Sequence, residues 1–580
     1  MKFYLFLLTI SIQSFVSIGQ NVDILLRQKV PMRDGIQLSA DIYLPEGNKK
    51  PLPVILIYTP YLNDEAVERG MFFAKKDYVF ISLDLRGRGN SEGVYFPFEK
   101  DGQDGYDAIN WITQQPWCNG QVGMMGGSYR GMVQWMTLKE MPEALKTIVP
   151  TASVGPGIDF PKKNGVFYNY MLKWLTFTSG KGLNLKNFSN DEFWQSKGLK
   201  KIKEGLPFKD WDMTALNARN PIFQKWIAHP DFDEFWQNLY PQPEHYATLD
   251  LPILTITGYF DGDQPGALKY YEDHMTHGSI NGKGRHYLVL GPWTHGGTRK
   301  PETEVGGLQF GKNAKIDMMQ LHLEWFNWVF KNGAKPGLLK DRVNHFVMET
   351  NQWAHSTAYH QLAGDTLSFF LSSPENTANS LYNPGQLTET IPGREDPDSF
   401  IYNPLDTVQQ AATNGDNYYL SPIPSVLKNH LIYLSDPMKK DNELIGRIAL
   451  DAYISLNVKD TDITTTYYEI RADGQTIYLG NDRIRARYRN SLEKAEMVTP
   501  GKIELYQFKS SFFTNRKLLK GSRIAIIMGP EESASSQRNY NSGKDVSEET
   551  KDDSVIATVT LYHSKKYPSH LKIPVRREKK

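Results

Sequence analysis

The sequence predicts an α/β fold followed by an all-β domain. In the first 342 residues, short apolar runs alternate with stretches of helical periodicity, which is typical of a mostly parallel sheet covered by helices on both faces. Residues 155–242 interrupt this alternation with an aromatic-rich helical segment. From residue 343 onward, short alternating runs are separated by Gly, Pro, Asn and Asp, which is the pattern of a β-sandwich.

The first half of the sheet is predicted to occupy residues 20–154. Residues 23–44 alternate like an antiparallel edge, with a turn at residues 33–35. Continuous apolar runs predict buried strands, and apolar side chains at 3.6-residue spacing predict the helices between them. The strands are placed at residues 54–58, 78–85 and 147–154, and the helices at residues 66–76 and 104–114.

Residues 155–242 contain no clear strand pattern. Their helical segments are dense in large aromatic side chains, among them Trp174, Trp211, Trp226 and Trp236. We expect these segments to form a helical cap over the sheet. Most of the aromatic side chains would form the core of the cap, and a minority would line a substrate pocket.

The sheet is predicted to resume in residues 243–342, with strands at 253–257 and 286–290 and helices at 267–274 and 316–330. Residues 343–580 predict a jelly-roll β-sandwich. Its strands are placed at residues 367–371, 431–434, 448–458, 464–471, 502–508, 523–528 and 555–563. The polar segment 531–553 is predicted to be a long mobile loop.

Residues 119–142 predict a strand, a sharp glycine turn and a helix, with Ser128 on the turn. Gly126 and Gly127 permit backbone angles and close approaches that a side chain would block. Apolar residues then recur at helical spacing until Pro142 ends the run. A serine so placed corresponds to the nucleophile elbow of an α/β-hydrolase. The simpler interpretation of Ser128 is a helix N-cap.

A second serine competes with Ser128 for this role. The literal pattern G-x-S-x-G occurs once, at residues 89–93, and it contains Ser91 rather than Ser128. Ser91 also follows a predicted strand, but the residues after it, Val94 to Pro97, predict no helix. Because an elbow needs strand, turn and helix together, we interpret Ser91 as a hydrogen-bonded loop residue.

Asp261 and His295 are the predicted partners of Ser128. An α/β-hydrolase carries its triad in the chain order serine, acid, histidine, each after a strand, and both residues directly follow predicted strands. His295 would remove the proton of Ser128, and Asp261 would orient the imidazole and stabilise its charged form. The rival histidines are His274, His277 and His286, and the rival acids are Asp263 and Asp273. Position alone does not separate Asp263 from Asp261.

The oxyanion of an acyl-transfer reaction needs hydrogen-bond donors. One is predicted to be the backbone N–H of Tyr129, the residue after the nucleophile. The second is expected from the loop that follows the strand at residues 54–58, where Tyr61 carries a hydroxyl. The simpler interpretation of Tyr61 is a partly buried aromatic residue.

The N-terminus predicts export. Lys2 is followed by an uncharged apolar stretch and by small residues before Gln20, so residues 1–19 are predicted to be a cleaved signal peptide. The mature protein would be periplasmic or secreted. A retained anchor is the alternative, but an apolar stretch of roughly 16 residues is short for a bilayer span. Cys118 is the only cysteine, which excludes an internal disulfide, and its apolar neighbours indicate a packing role.

Composition excludes several classes of partner. The formal net charge is +1, with 40% hydrophobic and 23% charged residues, which gives no indication of a nucleic-acid partner. We also expect no membrane association once the signal is cleaved. No His, Asp and Glu cluster at metal-ligand spacing is present, so we expect no metal and no cofactor. The sequence leaves homo-oligomerisation open.

Ten short motifs, and their order along the chain, resemble the shorter form of the X-Pro dipeptidyl-peptidase family of serine hydrolases. That form includes the cocaine esterases and the α-amino acid ester hydrolases, which are similar to glutaryl-7-aminocephalosporanic acid acylase. The motifs are TPY at 59–61, RGRG at 86–89, SEG at 91–93, DGYD at 104–107, PWCNG at 116–120, GGSYRG at 126–131, GYFD at 258–261, GPWTHG at 291–296, DTD at 460–462 and RARYR at 485–489.

The resemblance covers nearly the whole mature chain and implies a hydrolase domain, a helical cap and a jelly roll. It also implies Ser128, Asp261 and His295 as the triad, with Tyr61 and the Tyr129 amide as oxyanion donors. The late glycine at position 131 matches the family's own form of the elbow.

The resemblance further implies a carboxylate cluster that holds the α-ammonium group of an amino acid ester. Asp263 stands where one member is expected, whereas Gln264 replaces an expected acid beside it. Asp159 is a third candidate. We therefore expect Asp263, with Asp159, to bind a free amino group of the substrate.

The predicted function is a serine hydrolase that cleaves a small-molecule ester, an amide or a short peptide through an acyl-enzyme. An α-amino acid ester hydrolase or acylase activity is expected first, and an X-Pro dipeptidyl-peptidase is the alternative within the class. A non-catalytic carbohydrate-binding protein is the alternative from another class. The three filled triad positions argue against the binding protein.

Overall fold

The computed structural model describes residues 21–47, 49–375, 378–406, 423 and 429–577. The predicted signal peptide, residues 1–19, lies outside the described residues, so its assignment stays a prediction. Within the described ranges, every helix is too short or too polar to traverse a lipid bilayer.

The first part of the chain alternates strands and α-helices, as the apolar runs predict. These elements are β1 (Val22–Pro31), β2 (Gln37–Pro45), β3 (Leu52–Thr59), α1 (Val67–Ala74), β4 (Val79–Asp84), α2 (Asp101–Thr113), β5 (Cys118–Ser128), α3 (Tyr129–Lys139) and β6 (Leu145–Ser153). All six residues of β4 are buried, as expected for a strand covered on both faces.

The cap is helical apart from a two-stranded hairpin. Its elements are β7 (Lys162–Lys163), β8 (Val166–Phe167), α4 (Tyr170–Phe177), α5 (Leu185–Phe188), α6 (Asp191–Glu204), α7 (Trp211–Leu216), α8 (Pro221–Ile227), α9 (Glu234–Gln237) and α10 (Pro243–Thr248). Trp211, Trp226 and Trp236 are buried and form part of its core. The boundary predicted at residue 242 falls just before α10.

The second part of the chain completes the sheet. Its elements are β9 (Ile253–Phe260), α11 (Gln264–His277), α12 (Ile280–Gly284), β10 (His286–Thr294), β11 (Glu304–Val305), β12 (Leu308–Gln309), α13 (Met318–Lys331), β13 (Val343–Val347) and β14 (Gln352–Ser356). The strands β11 and β12 form a separate two-stranded hairpin.

The large sheet has the strand order β1-β2-β4-β3-β5-β6-β9-β10-β13-β14. In this spatial order, the strands from β4 to β13 run parallel to one another. The strands β1, β2 and β14, at the two edges of the sheet, pair in antiparallel. Because β5, β9 and β10 are parallel, their carboxyl ends lie at the same edge of the sheet, which is the edge where ligands bind in open α/β sheets. This arrangement confirms the predicted α/β-hydrolase fold.

The domain boundary that the sequence predicts at residue 343 falls at the start of β13. Strands β13 and β14 follow this boundary, yet β13 pairs in parallel with β10 in the first sheet. Their alternating pattern suits the edge of either sheet, and only the long-range pairing assigns them to the hydrolase domain.

The C-terminal domain is all-β, as predicted. Its strands are β15 (Asp365–Ser372), β16 (Gly385–Thr388), β17 (Asp398–Tyr402), β18 (Leu431–Ser435), β19 (Asn442–Gly446), β20 (Ala449–Leu456), β21 (Asp462–Ile470), β22 (Thr476–Arg485), β23 (Glu504–Lys509), β24 (Thr514–Leu518), β25 (Arg523–Pro530), β26 (Ala557–Tyr562) and β27 (His570–Val575). Most of their pairings are antiparallel, and their inward-facing residues form a separate hydrophobic core. The jelly-roll topology stays a prediction.

The segment 531–553, which its polar composition predicts to be a long mobile loop, contains several buried polar side chains. Gln537, Asn539 and Glu549 are buried, each with at most 2% of its surface exposed. The Asn539 side chain donates to Asp460 Oδ2 at 2.8 Å, and Glu549 Oε2 accepts from the Tyr540 amide at 2.8 Å. Hydrogen bonding offsets the cost of burying these polar groups, which composition alone does not indicate.

Candidate active site

Ser128 occupies a strained turn between β5 and α3. Its φ of 66° and ψ of −128° are unusual for a residue with a side chain. A Cβ on Gly126 would lie 2.6 Å from the Cβ of Arg130, and a Cβ on Gly131 would lie 2.6 Å from Ser153 Oγ. Glycine at these two positions lets helix α3 pack directly against the sheet and presents Ser128 at its N-terminus.

Ser91 has a different environment. It is buried, with 1% of its surface exposed. Its hydroxyl donates to the Asp84 carbonyl at 2.7 Å and accepts from the Ser39 amide at 2.8 Å. The structure therefore confirms that Ser91 is a hydrogen-bonded loop residue.

Asp261 and His295 contact each other after strands β9 and β10. His295 Nδ1 lies 2.8 Å from Asp261 Oδ1. Asp261 is fully buried, and its other oxygen accepts a hydrogen bond from Thr257 Oγ1 at 2.9 Å. The Asp263 amide also donates to Asp261 Oδ1, at 3.0 Å. These bonds hold the carboxylate in one orientation toward the imidazole.

The rival acids and histidines contact other residues, are exposed, or lie farther from the Asp261–His295 pair. Asp263 Oδ2 is 3.5 Å from His295 Nδ1, longer than the 2.8 Å to Asp261. Asp273 pairs with Lys269 on α11. His274 and His286 contact each other through their Nδ1 atoms at 2.9 Å inside the fold, and His277 is exposed.

The ligand atoms of Asp261, Asp263 and His295 lie within 4.8 Å of one another. Both oxygens of Asp261 already accept hydrogen bonds, one from Thr257 and one from the Asp263 amide. Within this group, Asp261 and His295 form the 2.8 Å contact, and the expectation of no metal stays a prediction.

Electrostatics favour the charged form of His295. Burial by itself lowers the pKa of His295, but the carboxylates of Asp263 and Asp261 outweigh it and raise the pKa above its ordinary value of 6.5. Burial raises the pKa of Asp263 to about 6, although His295 opposes this shift. The Ser128 hydroxyl also interacts with Asp263 and lowers its pKa.

Tyr61 lies beside Ser128, as an oxyanion donor requires. Burial raises the pKa of Tyr61, so its hydroxyl keeps its proton, and the Ser128 hydroxyl also interacts with it. Trp174 Nε1 of the cap donates to the Tyr61 hydroxyl oxygen at 3.2 Å. Because that oxygen accepts from Trp174, its own proton is free for donation to another acceptor.

The Tyr129 side chain fixes the start of helix α3. Its hydroxyl donates to Asp101 Oδ2 and accepts from the Phe98 amide at 2.9 Å. Its ring stacks between Phe98 and Trp174, with centroid distances of 5.4 and 5.5 Å. This anchoring holds the Tyr129 backbone N–H next to Ser128.

Ser128, Tyr61, Asp263 and His295 line a single cavity of about 500 Å³. Arg130, Arg299 and Glu65 form another part of its wall. Aromatic side chains of the cap contribute the apolar wall: Phe160, Tyr170, Trp174, Phe177 and Phe188. The cavity thus combines a serine and an imidazole with both charged and aromatic surfaces.

Two family models match consecutive parts of this chain. The X-Pro dipeptidyl-peptidase (S15 family) matches residues 34–297, and the X-Pro dipeptidyl-peptidase C-terminal non-catalytic domain matches residues 339–572. The chain belongs to the X-Pro dipeptidyl-peptidase-like family of serine hydrolases. The first match ends just after His295, so it spans the whole cluster of Ser128, Asp261 and His295.

Relatives of this family cover almost the full chain. A cocaine esterase from Rhodococcus sp. (strain MB1 Bresler) is 25% identical over 583 aligned residues, covering 94% of this chain and 97% of the esterase. An aminopeptidase from the marine sediment archaeon Thaumarchaeota archaeon has a TM-score of 0.81 at 21% identity and covers 96% of this chain and 97% of its own. An α-amino acid ester hydrolase has a TM-score of 0.80 at 20% identity and covers 98% and 100%.

One residue of the expected carboxylate cluster does not reach the cavity. Asp159 is buried, with its Oδ1 accepting from the Gly155 amide at 2.8 Å and its Oδ2 from the Gly266 amide at 2.6 Å. Its role is to join the start of the cap to helix α11. Asp159 is not among the residues that line the cavity, although the charge of Asp263 acts on it, so its binding of a substrate amine stays a prediction.

Gln264, which replaces an expected acid, connects two domains. Its side chain is buried and donates to the Gly258 and Phe513 carbonyls, both at 2.9 Å. Its Oε1 accepts from the Phe513 amide at 2.6 Å. Gln264 thus joins the loop after β9 to the all-β domain, and Asp263 is the cluster member that faces the cavity.

The sequence interpretation missed the charged wall formed by Glu65, Arg130 and Arg299. Arg130 stands two residues after Ser128, within the GGSYRG motif itself, so its position in the sequence indicated a place near the site. Arg299 follows His295 closely along the chain, but nothing in its sequence context indicates that it returns to the elbow.

Proposed function

We propose that the protein hydrolyses esters or amides by an acyl-enzyme mechanism in which Ser128 is the nucleophile. The observation that carries this proposal is the 2.8 Å contact between His295 and a fully buried Asp261, at a cavity that also contains Ser128. The Asp261 contact uses Nδ1 of His295, which leaves Nε2 as the basic nitrogen.

In the acylation step, His295 Nε2 removes the Ser128 proton as Oγ attacks the carbonyl carbon of the substrate. The tetrahedral intermediate collapses, the bond to the leaving oxygen or nitrogen breaks, and His295 returns the proton to that atom. A water molecule then attacks the acyl-enzyme by the same route and releases the acid. Asp261 stabilises the imidazolium in both halves of the reaction.

Two donors would stabilise the oxyanion of each tetrahedral intermediate. The first is the Tyr129 backbone N–H, at the N-terminus of α3, where the helix dipole also favours negative charge. The second is the Tyr61 hydroxyl, which Trp174 orients by donating to its oxygen. Donors that are fixed before the reaction stabilise developing charge without reorganisation.

A fluorophosphonate probe tests the nucleophile. We expect it to label one site, in the peptide that contains Ser128, and labelling to be lost in His295→Gln because the serine is no longer deprotonated. The matched control is His277→Gln, an exposed histidine outside the cavity. A protein that remains unlabelled contradicts the proposal and favours a non-catalytic carbohydrate-binding protein.

Relatives support an ester or amide substrate by their names, a cocaine esterase and an α-amino acid ester hydrolase. The family description, X-Pro dipeptidyl-peptidase, favours a short-peptide amide as the second candidate. Hydrolysis of amino acid esters, β-lactam amides and X-Pro amides by the same preparation separates these candidates. We expect esters to be cleaved fastest.

Asp263 is our proposed site for a free amino group on the substrate. It lines the cavity next to His295, and its interaction with the Ser128 hydroxyl brings it close to the scissile bond. If Asp263 forms a charge-assisted hydrogen bond with the amino group, we expect an amino acid ester to be hydrolysed about 10- to 100-fold faster than its des-amino analogue. Equal rates would remove the assignment.

We also propose that the protein is exported, because residues 1–19 have the pattern of a cleaved signal. Sequencing the N-terminus of the protein recovered from the periplasm or the medium should give Gln20 as the first residue. An intact Met1 in the cytoplasmic fraction would contradict export.

A further inference from the structure

Two arginine side chains, Arg130 and Arg299, line the cavity beside Ser128, and the charge of a third, Arg69, acts on Arg130. Arg69 lies on α1, Arg130 on α3, and Arg299 on the loop after β10. Burial, and after it the charges of Arg69 and Arg299, lower the pKa of Arg130 to about 10. Burial, and after it the charge of Arg299, also lower the pKa of Arg69. We call Arg69, Arg130 and Arg299 the arginine cluster.

The arginine cluster has little compensating charge. In the described part of the chain, Glu65 is the only carboxylate that forms an ion pair with any of the three, and its Oε2 lies 3.6 Å from Arg130 Nη1. The Glu65 side chain is 44% exposed, so water competes with this contact. The other carboxylate of the cavity, Asp263, lies 3.5 Å from His295 Nδ1, and the charge of Arg299 also acts on it although the two form no ion pair.

Arg130 is buried without its full set of hydrogen bonds. Only 7% of the residue is exposed, and its Nε has no hydrogen-bond partner among the described residues. Its guanidinium lies 5.4 Å from the centroid of the Tyr61 ring, so it stands over the proposed oxyanion donor. A buried cation with an unused donor costs free energy, and an anion that enters the cavity offsets that cost.

Arg299 brings the second guanidinium close to the nucleophile. A Cβ on Gly127 would lie 3.2 Å from Arg299 Nη1, so this group packs against the residue that precedes Ser128. Arg130 and Arg299 both line the cavity. They therefore flank the elbow, and a group bound to them lies only a few bonds from the carbonyl that Ser128 attacks.

We propose that Arg130 and Arg299 bind a carboxylate of the substrate, and that the enzyme prefers esters or amides carrying this group near the scissile bond. This inference rests on the proposed function and adds the charge of the substrate to it. A planar carboxylate matches the hydrogen-bonding fork of arginine. We expect the other end of the substrate to be apolar, because Phe160, Trp174 and Phe177 form an aromatic wall of the cavity.

Two matched pairs of esters test the preference and locate the carboxylate. The acyl-side pair is 4-nitrophenyl hemiglutarate and its neutral methyl ester. The leaving-group pair is 4-carboxyphenyl pentanoate and its neutral methyl ester. We expect the carboxylate member of one pair to have the higher kcat/KM, by about 10- to 100-fold, because charge-assisted hydrogen bonds distinguish the two members.

The variants Arg299→Gln and Arg130→Gln should each bring the ratio of the two kcat/KM values toward one. Both substrates are measured on one preparation, so a loss of folded protein cancels from the ratio. Arg299 is only partly buried, which makes Arg299→Gln the variant that folds more readily. The matched control is Arg285→Gln, which removes the same charge just before β10, at the opposite edge of the sheet, and should leave the ratio unchanged.

Equal kcat/KM within both pairs overturns the carboxylate assignment, as does an unchanged ratio in both arginine variants. If the fluorophosphonate labels Ser128 while none of the four esters is hydrolysed, the carboxylate assignment fails and the nucleophile assignment stands. If Ser128 is neither labelled nor active on any ester, the proposed function fails and this inference fails with it.

Discussion

The two serine-containing glycine loops of this protein show how one sequence pattern takes two structural roles. Ser91 lies in the only literal G-x-S-x-G of the chain, whereas Ser128 lies in a variant with its second glycine one residue later. The Ser91 hydroxyl makes two hydrogen bonds to backbone groups, to the Asp84 carbonyl and from the Ser39 amide. The Ser128 hydroxyl faces a cavity beside Tyr61 and His295.

The difference between the two loops comes from the residues after each serine. Ser128 immediately precedes helix α3, and its positive φ turns the side chain out of the sheet and toward the cavity. The residues directly after Ser91 form no helix, and the serine is buried. The late position of Gly131 is explained by packing, because a side chain there would collide with Ser153 and with the Thr151 carbonyl of β6.

Alanine substitution of each serine gives the largest contrast. We expect Ser128→Ala to lower kcat by about 10⁴- to 10⁶-fold, because no other group supplies the nucleophile. Ser91→Ala should retain kcat per folded molecule and lose about 1–3 kcal/mol of unfolding free energy, because a buried donor and acceptor are left unpaired. Steady-state kinetics and urea unfolding measure the two effects.

If Ser128→Ala keeps full activity, or Ser91→Ala loses turnover while it remains folded, the roles assigned to the two loops are reversed.

Tyr61 and Tyr58 offer a smaller contrast along one stretch of chain. Tyr61→Phe removes a proposed oxyanion donor, so we expect kcat to fall about 100- to 1000-fold with little change in KM. Tyr58→Phe is the matched control, since the Tyr58 hydroxyl is buried without a hydrogen-bond partner among the described residues. Its loss should leave kcat unchanged. Equal kinetics for the two variants would exclude Tyr61 from the oxyanion site.

The pH dependence of activity sharpens the distinction between Asp261 and Asp263. The general base must be neutral, so kcat/KM should rise with pH through the raised pKa of His295, with a midpoint above 6.5. Asp263→Asn removes a negative charge that favours the imidazolium. The midpoint should therefore move to lower pH, by about one unit.

Asp273→Asn is the matched control for this shift, because Asp273 pairs with Lys269 outside the cavity. Midpoints that coincide in Asp263→Asn and in the unsubstituted protein would show that Asp263 does not act on His295. A midpoint that rises would contradict the sign of the interaction.

Much of the fold is encoded in local patterns. Continuous apolar runs gave the central strands, and the aromatic density of residues 155–242 gave the cap. Two segments have a local pattern that is compatible with more than one environment. Strands β13 and β14 alternate like the strands of a sandwich but pair with the first sheet. The segment 531–553 is polar but buried, because hydrogen bonds such as that from Asn539 to Asp460 satisfy it.

By itself, the sequence determined the order of the elements and the positions of the candidate catalytic residues. A buried strand, a glycine turn and an amphipathic helix are each encoded by neighbouring residues. Only the tertiary structure decided which acid contacts His295, that Asp159 braces backbone amides, and that Arg130 and Arg299 meet at the elbow. The physical reason is that distances between side chains far apart in sequence depend on how the sheet, cap and loops pack, and no local periodicity carries that information.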